Sequence, residues 1–554
     1  MLLEKRIILE RVLKKITGLD DVLLAEGGEH ADLATTVAFA LAKQKKQAPV
    51  KIAQDLVVEL SKHPELNGMT IEAKGPYINF VFGKEYVSDT IKAAVKPGYG
   101  SLEKKTTRVV LEHTSANPNG PLHVGHIRNS IIGDTLARAF RKAGYRLEVQ
   151  YYVNDMGRQI AIVVWGFTHL DSTQHEGEKQ DAHIARIYIA ANREIEKDPQ
   201  ITQQVNELMQ LVEKGDTPTV KKFRNEVSRC LEGFEVTMKG LNVAHDRFVW
   251  ESDFIRNGYT ERIINRIRKL PQTKQEETLF LDLSEFGFEN KYVIRRSDGT
   301  SVYAARDLAF HTWKGANFDR VIDVLGADHK LIGAQLQCTM KLLGEKVPEI
   351  VHFEFVSLPE GSMSTRAGKF VSADDLITEI NKRAFDEVTA RRPELDEPAR
   401  RAIAQSVGLA AVRYDIVKVS PEKSTVFDWK EALDFERQSG PYIQYSHARA
   451  CSILDKAGPF EECYDLETPA EIALAKQIAK LPMVIERVIA ELRPHILATY
   501  SRELADVFNS FYHFDPVLKS EGNVRDRRLT LVKAAQNTLK ESLETLGIDA
   551  IRTM

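Results

Sequence analysis

Cysteine is scarce in this chain, which has only four cysteines among its 554 residues. Cys230, Cys338, Cys451 and Cys463 lie far apart and show no metal-ligand spacing, so the sequence predicts reduced thiols and no bound metal. No run of about eighteen apolar residues is present, which argues against a membrane-spanning helix. The chain begins with an amphipathic pattern that lacks a cleavage site, so we expect a cytoplasmic protein with no membrane partner.

Net charge is also nearly absent, because 76 basic and 79 acidic side chains leave a formal charge of -3. That balance neither supports nor excludes a nucleic-acid partner, since phosphate contacts need only a local basic face. Hydrophobic residues make up 43% and charged residues 28% of the chain, which is ordinary for a globular protein. The length exceeds what one hydrophobic core accommodates, and several domains are expected.

The most informative segment joins an apolar strand, Val109–Leu111, to an amphipathic helix predicted from about Val124 to Ala143. His123 and His126 stand one turn apart at the junction, with Gly125 between them. The first turn of a helix offers unpaired N–H groups and the positive end of the helix dipole, and imidazoles can donate to oxygens on which charge develops. The segment therefore predicts a phosphate-binding βα unit, the alternative being two surface histidines that cap an ordinary helix.

Hydrophobic periodicity predicts an α/β multidomain fold of three units. Residues 1–100 form an N-terminal α+β unit, and the segment Lys96–Gly100 is predicted to be a linker because it contains glycine and proline. Residues 101–395 alternate strands and helices and predict a Rossmann-type parallel-sheet catalytic domain, with a helical insertion at about 170–240. Residues 396–554 show helical patterns almost throughout and predict an all-α bundle.

The run Glu112–His126, which reads EHTSANPNGPLHVGH, resembles the arginyl-tRNA synthetases. His-Val-Gly-His is similar to the HIGH motif of class I aminoacyl-tRNA synthetases, and the residues before it narrow the resemblance to the arginine enzymes. The chain end Leu546–Met554 is similar to the methionine-terminated tail of that family, and the sequence style is archaeal. The resemblance extends over essentially the whole chain. It implies a monomeric arginine–tRNA ligase that uses ATP with Mg²⁺ carried by ATP, and that binds tRNA(Arg) before it activates L-arginine.

Carboxylates suit a guanidinium ligand because they accept two parallel hydrogen bonds. Taken singly, an acid near a strand end is more often solvated or salt-bridged than bound to a ligand. The resemblance assigns the arginine site to Glu112, Ser115, Asn117, His123, Glu251, Tyr303, Asp307 and His329, the last in place of the family's glutamine. It assigns the ATP phosphates to His123, Gly125 and His126, and the adenine to the neighbourhood of Gly326 and His329.

The second class I motif, KMSKS, corresponds to the segment Gly361–Lys369. Two positions fit and both lysines are absent: Met363 and Ser364 match, whereas Ser362 and Thr365 stand in the lysine positions. Lysines there stabilise the pyrophosphate leaving group, so their loss needs a substitute. We expect Arg366 and Lys369 to supply the charge, the alternative being a basic loop without a catalytic part.

Aromatic and amide side chains suit tRNA because unstacked bases can stack on them and hydrogen-bond to them. In the N-terminal unit Tyr77 and Asn79 are predicted at the tip of a hairpin. In the helical unit Tyr442, Tyr445 and Arg449 fall on one face of a helix, which alternatively is a packed aromatic stripe. The resemblance implies tRNA contacts at these five residues and at Met554.

Two other functions stay open at this point. A class I synthetase for cysteine or glutamate is disfavoured, because zinc-ligand spacing is lacking and an acid-rich pocket repels a second carboxylate. A non-catalytic paralogue that only binds tRNA is favoured by the missing lysines. The retained histidines and acids argue against it.

Overall fold

The computed structural model describes residues 2–28, 31–297, 299–357 and 372–554. The N-terminal unit packs its helices on one antiparallel sheet with the strand order β1-β2-β4-β3. Its elements are α1 (Leu2–Thr17), β1 (Leu24–Glu26), β2 (Leu33–Thr35), α2 (Val37–Lys45), α3 (Pro49–Leu60), β3 (Met69–Lys74), β4 (Tyr77–Phe82) and α4 (Lys84–Ala94). Within the described ranges, no helix has the length and apolar content that crossing a membrane requires.

The glycine- and proline-containing segment after α4 is not an exposed linker. Tyr99 is buried, and its hydroxyl donates to the backbone carbonyl of Ile478 at 3.2 Å. The Gly98 N–H donates to the Glu541 carboxylate at 2.8 Å. The segment connects α4 to the central unit as a series of turns, and these contacts anchor it to helices of the C-terminal unit.

The central unit is built on five strands, all parallel, in the order β12-β11-β5-β6-β7. Its elements are β5 (Arg108–Glu112), α5 (Val124–Lys142), β6 (Arg146–Val153), α6 (Arg158–His169), α7 (Gln180–Lys197), α8 (Pro199–Glu213), α9 (Thr217–Gly240), β7 (Arg247–Trp250), α10 (Glu251–Arg256), α11 (Tyr259–Ile267), β8 (Thr273–Gln275), β9 (Leu279–Leu281), β10 (Tyr292–Arg295), α12 (Tyr303–Asn317), β11 (Arg320–Gly326), α13 (Lys330–Leu342), β12 (Glu349–Phe353), β13 (Val356–Ser357) and α14 (Ala373–Arg391). The sheet confirms the predicted parallel fold.

Strand order fixes where a ligand can enter this sheet. The chain proceeds from β5 to β6 and β7 on one side, and from β11 to β12 on the other. The switch point between these two directions lies between β5 and β11, where open parallel sheets bind ligands beyond the carboxyl ends of their strands. The predicted insertion is the helical layer α7–α9 packed on α6. The small antiparallel sheet β8–β10 was not anticipated, because its strands are only three or four residues long.

The C-terminal unit is a bundle, as predicted, apart from one two-residue strand that pairs with β13. Its elements are α15 (Glu397–Val417), β14 (Thr425–Val426), α16 (Trp429–Ala432), α17 (Gly440–Ala457), α18 (Pro469–Ala479), α19 (Leu481–Glu491), α20 (His495–Phe514) and α21 (Gly522–Thr545). Helices α14 and α15 pack against each other across the boundary proposed at residue 395.

One buried ion pair ties the bundle to the central unit. The Arg413 side chain on α15 is 0% exposed and donates to the carboxylate of Asp134 on α5 at 2.6 Å. The same guanidinium donates to the backbone carbonyls of Leu241 and Leu546, both at 2.7 Å. A buried arginine with every partner fixed holds these segments in one arrangement. Helix α5, which begins at the two histidines, is thereby held against the bundle.

Candidate active site

The carboxyl ends of the parallel strands gather the residues singled out in the sequence. Glu112 is the last residue of β5, Glu251 follows β7 directly, and Gly326 ends β11. Burial raises the pKa of Tyr152, near the end of β6, and the nearby carboxylates of Glu251 and Asp307 raise it further. Residues distant in sequence thus meet at one edge of the sheet.

The two histidines at the start of α5 hold each other in place. His123 is the residue that caps the helix, and its Nδ1 accepts a hydrogen bond from the Gly125 N–H at 3.1 Å. The His126 Nδ1 accepts from the His123 N–H at 3.3 Å, and the two rings stack with centroids 3.7 Å apart. This reciprocal cap fixes both ring orientations before any ligand binds.

This cap changes the phosphate-binding hypothesis in two ways. The Gly125 N–H already donates to the His123 Nδ1, and the His126 N–H donates to the His123 carbonyl at 2.9 Å. Neither of these two backbone donors is therefore available to a phosphate. Burial lowers the pKa of His123, and burial together with His123 lowers the pKa of His126 to about 3. Both rings are therefore neutral near pH 7. Because each Nδ1 accepts, each Nε2 carries the proton and is the donor atom of its ring.

A buried chain of charges lies behind Glu112. The Lys314 ammonium on α12 contacts the Glu112 carboxylate and, at 2.7 Å, that of Asp323 on β11. His311 donates from Nε2 to Asp323 at 2.8 Å, and its Nδ1 lies 3.1 Å from the Asp307 carboxylate. The exposed side-chain fraction is 0% for Lys314 and 34% for Asp307, so Asp307 is the member most open to solvent.

Protonation within this chain follows from its contacts. Burial and Lys314 lower the pKa of His311, but Asp323 and Asp307 outweigh them and raise it to about 10. Against burial, Lys314 and His311 hold the pKa of Asp323 well below its usual range. Burial raises the pKa of Glu112, and Lys314 opposes that shift. Glu112, His311 and Asp323 bring ligand atoms within 4.8 Å of one another, but the Lys314 ammonium takes the place that a metal ion would need.

Glu251, the third predicted arginine ligand, already has a guanidinium partner in the protein. Its carboxylate is 1% exposed and lies 3.3 Å from NH1 of Arg306. Burial raises the pKa of Glu251 to about 7, although Arg306 lowers it. Arg306 also donates to the backbone carbonyl of Ser301 at 2.7 Å and stacks 5.4 Å from the centroid of the Tyr303 ring. The predicted arginine ligand Glu251 is thus a buried carboxylate paired with Arg306 in this structure.

Polar side chains from three elements form the rim of the site. The Ser115 hydroxyl donates to Glu112 at 2.8 Å, and the Asn154 amide donates to Asn117 at 3.1 Å. A Cβ at Gly157 would lie 2.8 Å from the Tyr303 hydroxyl, so the tyrosine reaches close to the Gly157 backbone. Ser115, Asn117 and Tyr303 therefore lie at the same edge of the sheet as Glu112 and Asp307.

The loop that carries Ser115 is held in an uncommon backbone conformation. Thr114 and Ser115 have φ angles of 71° and 37°, which non-glycine residues rarely adopt. Asn129 accepts from the Thr114 N–H at 3.0 Å, and the His113 ring packs where a Cβ on Gly133 of α5 would lie. Helix α5 thus determines the path of the loop.

Gly133→Ala is expected to destabilise the protein by about 1–3 kcal/mol, because the added methyl overlaps a buried ring. The new Cβ would lie 2.3–2.5 Å from atoms of the His113 side chain. Gly240→Ala, at the end of α9, is the matched control, since its Cβ meets only Ile377 at 3.8 Å. Urea-induced unfolding measures both variants. Equal midpoints for the two would contradict this packing account.

The remaining predicted ATP residues divide into two groups. Gly326 ends β11 next to β5, and His329 follows it with a side chain that is 53% exposed. Met363, Ser364, Arg366 and Lys369 lie outside the described residues. The chain resumes at Ser372, which forms a backbone bridge with His123.

Three sequence-family models match this chain, and together they cover most of it. The model for the catalytic domain of class I tRNA synthetases of the arginine type matches residues 89–429. The arginyl-tRNA synthetase N-terminal domain matches residues 6–82, and the DALR anticodon-binding domain matches residues 443–554. The arginine–tRNA ligase of Methanoregula boonei is 76% identical over the full length of both chains. The chain belongs to the arginyl-tRNA synthetases.

Other relatives agree with this membership. The arginine–tRNA ligase of Methanosphaerula palustris is 66% identical, again over both full lengths. The solved structure of the Thermus thermophilus arginyl-tRNA synthetase is 30% identical, covers 99% of each chain and has a TM-score of 0.87. The Plasmodium falciparum arginyl-tRNA synthetase, at 18% identity and a TM-score of 0.81, shows the fold alone. The class I Rossmann-type architecture predicted from the HIGH-like motif is confirmed.

A cavity lies between α14, the segment before α17, and the helices α17 and α20 of the bundle. It measures about 590 Å³, and its lining includes all four predicted tRNA residues of the helical unit: Tyr442, Tyr445, Arg449 and Met554. The Arg449 guanidinium lies 4.7 Å from the centroid of the Tyr445 ring. The Tyr442 hydroxyl donates to Asp506 at 2.8 Å. Tyr442, Tyr445 and Arg449 thus share one face of α17, as predicted. In the folded chain Met554 lines the same cavity.

Strands β3 and β4 form the predicted hairpin, because Lys74 pairs with Tyr77 across the two-residue turn at Gly75 and Pro76. Tyr77 begins β4, is 47% exposed and packs edge-on against Phe39 at 5.8 Å between ring centroids. Asn79 lies within the sheet, between Ala34 of β2 and Glu72 of β3, and is 6% exposed. Tyr77 therefore lies at the tip as predicted, whereas Asn79 is two residues further into β4 and is buried, because that strand has neighbours on both sides.

Four residues of the site were missed in the sequence analysis: Arg306, His311, Lys314 and Asp323. A signal for two of them exists in α12, where Tyr303, Asp307 and His311 recur every fourth residue and Lys314 follows three later. Such spacing places polar groups on one helical face. Asp323 lies inside an apolar strand and gives no local signal of its partners.

Proposed function

We propose that the chain is an arginine–tRNA ligase that joins L-arginine to ATP and transfers the arginyl group to tRNA(Arg). The observation that carries this function is the open Asp307 carboxylate beside the rim residues, backed by buried charges. In the first step the arginine carboxylate attacks the α-phosphate of ATP and pyrophosphate leaves. In the second step a terminal ribose hydroxyl of the tRNA attacks the arginyl carbonyl and AMP leaves.

The substrate guanidinium is proposed to lie against Asp307 and Glu112. Asp307 is 34% exposed, whereas Glu112 is 10% exposed and shares its oxygens with Ser115 and Lys314. Carboxylates in a half-buried pocket bind a planar guanidinium more strongly than they would in water. Asn117, Tyr303 and His123 are proposed to hold the rest of the amino acid. Glu251 is proposed to act through Arg306 rather than by contact.

The ATP phosphates are proposed to lie against His123, Gly125 and His126, with the adenine near Gly326 and His329. The two neutral Nε2–H groups are fixed by the reciprocal cap, so they donate to the α-phosphate without reorganising as charge develops there. Gly125 carries no side chain and leaves room for a phosphate. Catalysis then rests on positioning and charge stabilisation, with no covalent nucleophile.

The leaving pyrophosphate needs cations that the motif lysines do not supply. Arg366 and Lys369 are proposed for this role with Met363 and Ser364, because they are the cations of the segment that corresponds to KMSKS. Mg²⁺ neutralises phosphate charge, and we propose that ATP oxygens and water carry it. Among the described residues, Glu112, His311 and Asp323 have the spacing of metal ligands, but the Lys314 ammonium already binds two of them.

ATP–pyrophosphate exchange with each of the twenty amino acids, with and without total tRNA, tests this function. We expect exchange with arginine alone, and only when tRNA is present. Exchange with another amino acid would contradict the proposed pocket. No exchange under any condition would favour a tRNA-binding paralogue without activity. Size-exclusion chromatography at the same concentrations tests the proposed monomer.

Contacts with tRNA are proposed at the 590 Å³ cavity and at Tyr77, with Asn79 limited to an indirect part by its burial. Tyr445 is 39% exposed and stacked by Arg449, which leaves its ring available to an unpaired base. Tyr442 is tied to Asp506 and frames the cavity.

Tyr445→Ala is expected to weaken tRNA binding by about 1–3 kcal/mol, the usual contribution of one base stacked on an aromatic ring. The KM for tRNA should rise by roughly 10–100-fold, while the KM for ATP stays unchanged. Phe514→Ala is the matched control, because Phe514 is 70% exposed at the end of α20 and does not line the cavity. Fluorescence titration with tRNA compares the two variants, and equal losses would exclude the cavity as the binding site.

A further inference from the structure

Lys314 is buried behind the proposed arginine pocket and contacts one of its carboxylates, Glu112. Its side chain is 0% exposed, and its ammonium contacts Glu112 and Asp323 and lies 4.1 Å from the centroid of the Phe310 ring. A lysine buried this completely is uncommon unless its charge is paired. Here it is paired with two carboxylates from neighbouring parallel strands.

The charges around Lys314 do not balance. The chain of contacts from Glu112 to Asp307 contains three carboxylates and two cations, the second being His311. One negative charge is left over. Asp307 is the most exposed of the three carboxylates, at 34%. A guanidinium that enters the pocket completes the balance, whereas a neutral side chain leaves one carboxylate of the pocket without a cationic partner.

We propose that Lys314 is a positioning and specificity-determining residue, which keeps Glu112 ionised and aimed at a cationic substrate without touching that substrate. The inference rests on the proposed function, because it assigns the substrate cation to this pocket. Asp323 has a different part. It forms ion pairs with Lys314 and His311, and its side chain is only 2% exposed, so a substrate does not reach it.

The electrostatics of Glu112 support this division. The charged groups that face Glu112 are Lys314 and His311 from α12 and Asp323 from β11, and Tyr152 of β6 lies nearby. Burial raises the pKa of Glu112, and Lys314 is the main group that lowers it. Without the ammonium, Glu112 is a buried carboxyl beside another buried carboxylate, an arrangement in which one of the two takes up a proton.

Lys314→Met tests the proposal, since methionine fills a similar space without charge. A buried carboxyl that has lost its cationic partner keeps its proton to higher pH, so fewer molecules carry the charged form. We therefore expect the KM for arginine at pH 7 to rise by at least about tenfold, with the KM for ATP unchanged. Because the proton leaves Glu112 at higher pH, the ratio of the variant's arginine KM to that of the unaltered enzyme should fall between pH 7 and 9.

Asp323→Asn is the matched control, because it breaks the same ion pair at the same depth. It leaves Lys314 on Glu112, and it also removes the main group that raises the pKa of His311. His311 then loses its positive charge along with the negative charge of Asp323, so one surplus negative charge remains and the arginine KM should stay within about threefold of the unaltered value. The double variant Lys314→Met/Asp323→Asn removes one charge of each sign and folds without an added buried charge. It should reproduce the raised, pH-dependent arginine KM even if Lys314→Met alone does not fold.

Arginine-dependent ATP–pyrophosphate exchange with tRNA present gives every KM in this test. Equal, pH-independent increases in Lys314→Met and Asp323→Asn would overturn the proposal, because they would show a packing role only. An unchanged arginine KM in the double variant would overturn it as well, while the proposed function would stand. Absence of arginine-dependent exchange in the unaltered enzyme would instead overturn the proposed function itself, and the inference with it.

Discussion

Asp307→Asn is expected to raise the KM for arginine by about a thousandfold, with little change in the KM for ATP. Loss of one partner from a buried, hydrogen-bonded charge pair costs about 2–5 kcal/mol, and 1.4 kcal/mol corresponds to a factor of ten. Asparagine keeps the shape of the side chain but removes the negative charge most exposed to the pocket. The substrate guanidinium then faces an electrically balanced set of groups in place of one with a net negative charge.

The matched control for this variant is Asp319→Asn. Asp319 stands just before β11, at the opposite edge of the same sheet, and its side chain is 50% exposed. It accepts the Arg108 N–H at 2.7 Å and has no access to the pocket. Steady-state exchange kinetics with thermal melting of both variants provide the comparison. An arginine KM within threefold of normal in a folded Asp307→Asn variant would remove this residue from the substrate site.

His126→Ala is expected to lower kcat for ATP–pyrophosphate exchange by about 10²–10³-fold, the usual loss when one fixed donor to a developing charge is removed. The KM for arginine should change little, because the guanidinium lies at the other side of the site. In the intact protein the His126 Nδ1 accepts a hydrogen bond from the His123 N–H at 3.3 Å, and the alanine variant also loses this bond. His126→Asn keeps an N–H donor and should recover part of the rate.

The pH profile separates the neutral-donor account from one based on cationic histidines. Burial and the neighbouring His123 lower the pKa of His126 to about 3, so protonation of this ring does not begin near pH 6.5. We therefore expect that protonation of His126 causes no fall in kcat between pH 6 and 8, since the neutral ring is the active form. His175→Ala, in the exposed loop after α6, controls for the loss of a histidine elsewhere. A rate that rises on acidification with a midpoint near pH 6.5 would contradict the neutral-donor role.

Local sequence determined several parts of this protein correctly. The apolar run Val109–Leu111 predicted a strand covered on both faces, and all three residues are 0% exposed. Helix α5 was predicted at Val124–Ala143 and ends at Lys142. The shared face of Tyr442, Tyr445 and Arg449 follows from helical spacing alone. These features depend on residues close together in the chain, whose periodicity and turn chemistry are visible without a fold.

Only the tertiary structure decided the charges of the site. Glu112 and Lys314 are 202 residues apart in sequence, and no local pattern pairs them. The cover of Glu251 by Arg306, the burial of Asn79 and the anchored Tyr99 likewise depend on distant segments. The physical reason is that a side chain's protonation, orientation and access are set by whatever packs against it, and burial makes those contacts decisive. The motif identified the family, whereas the fold determined which of its acids remains open to a ligand.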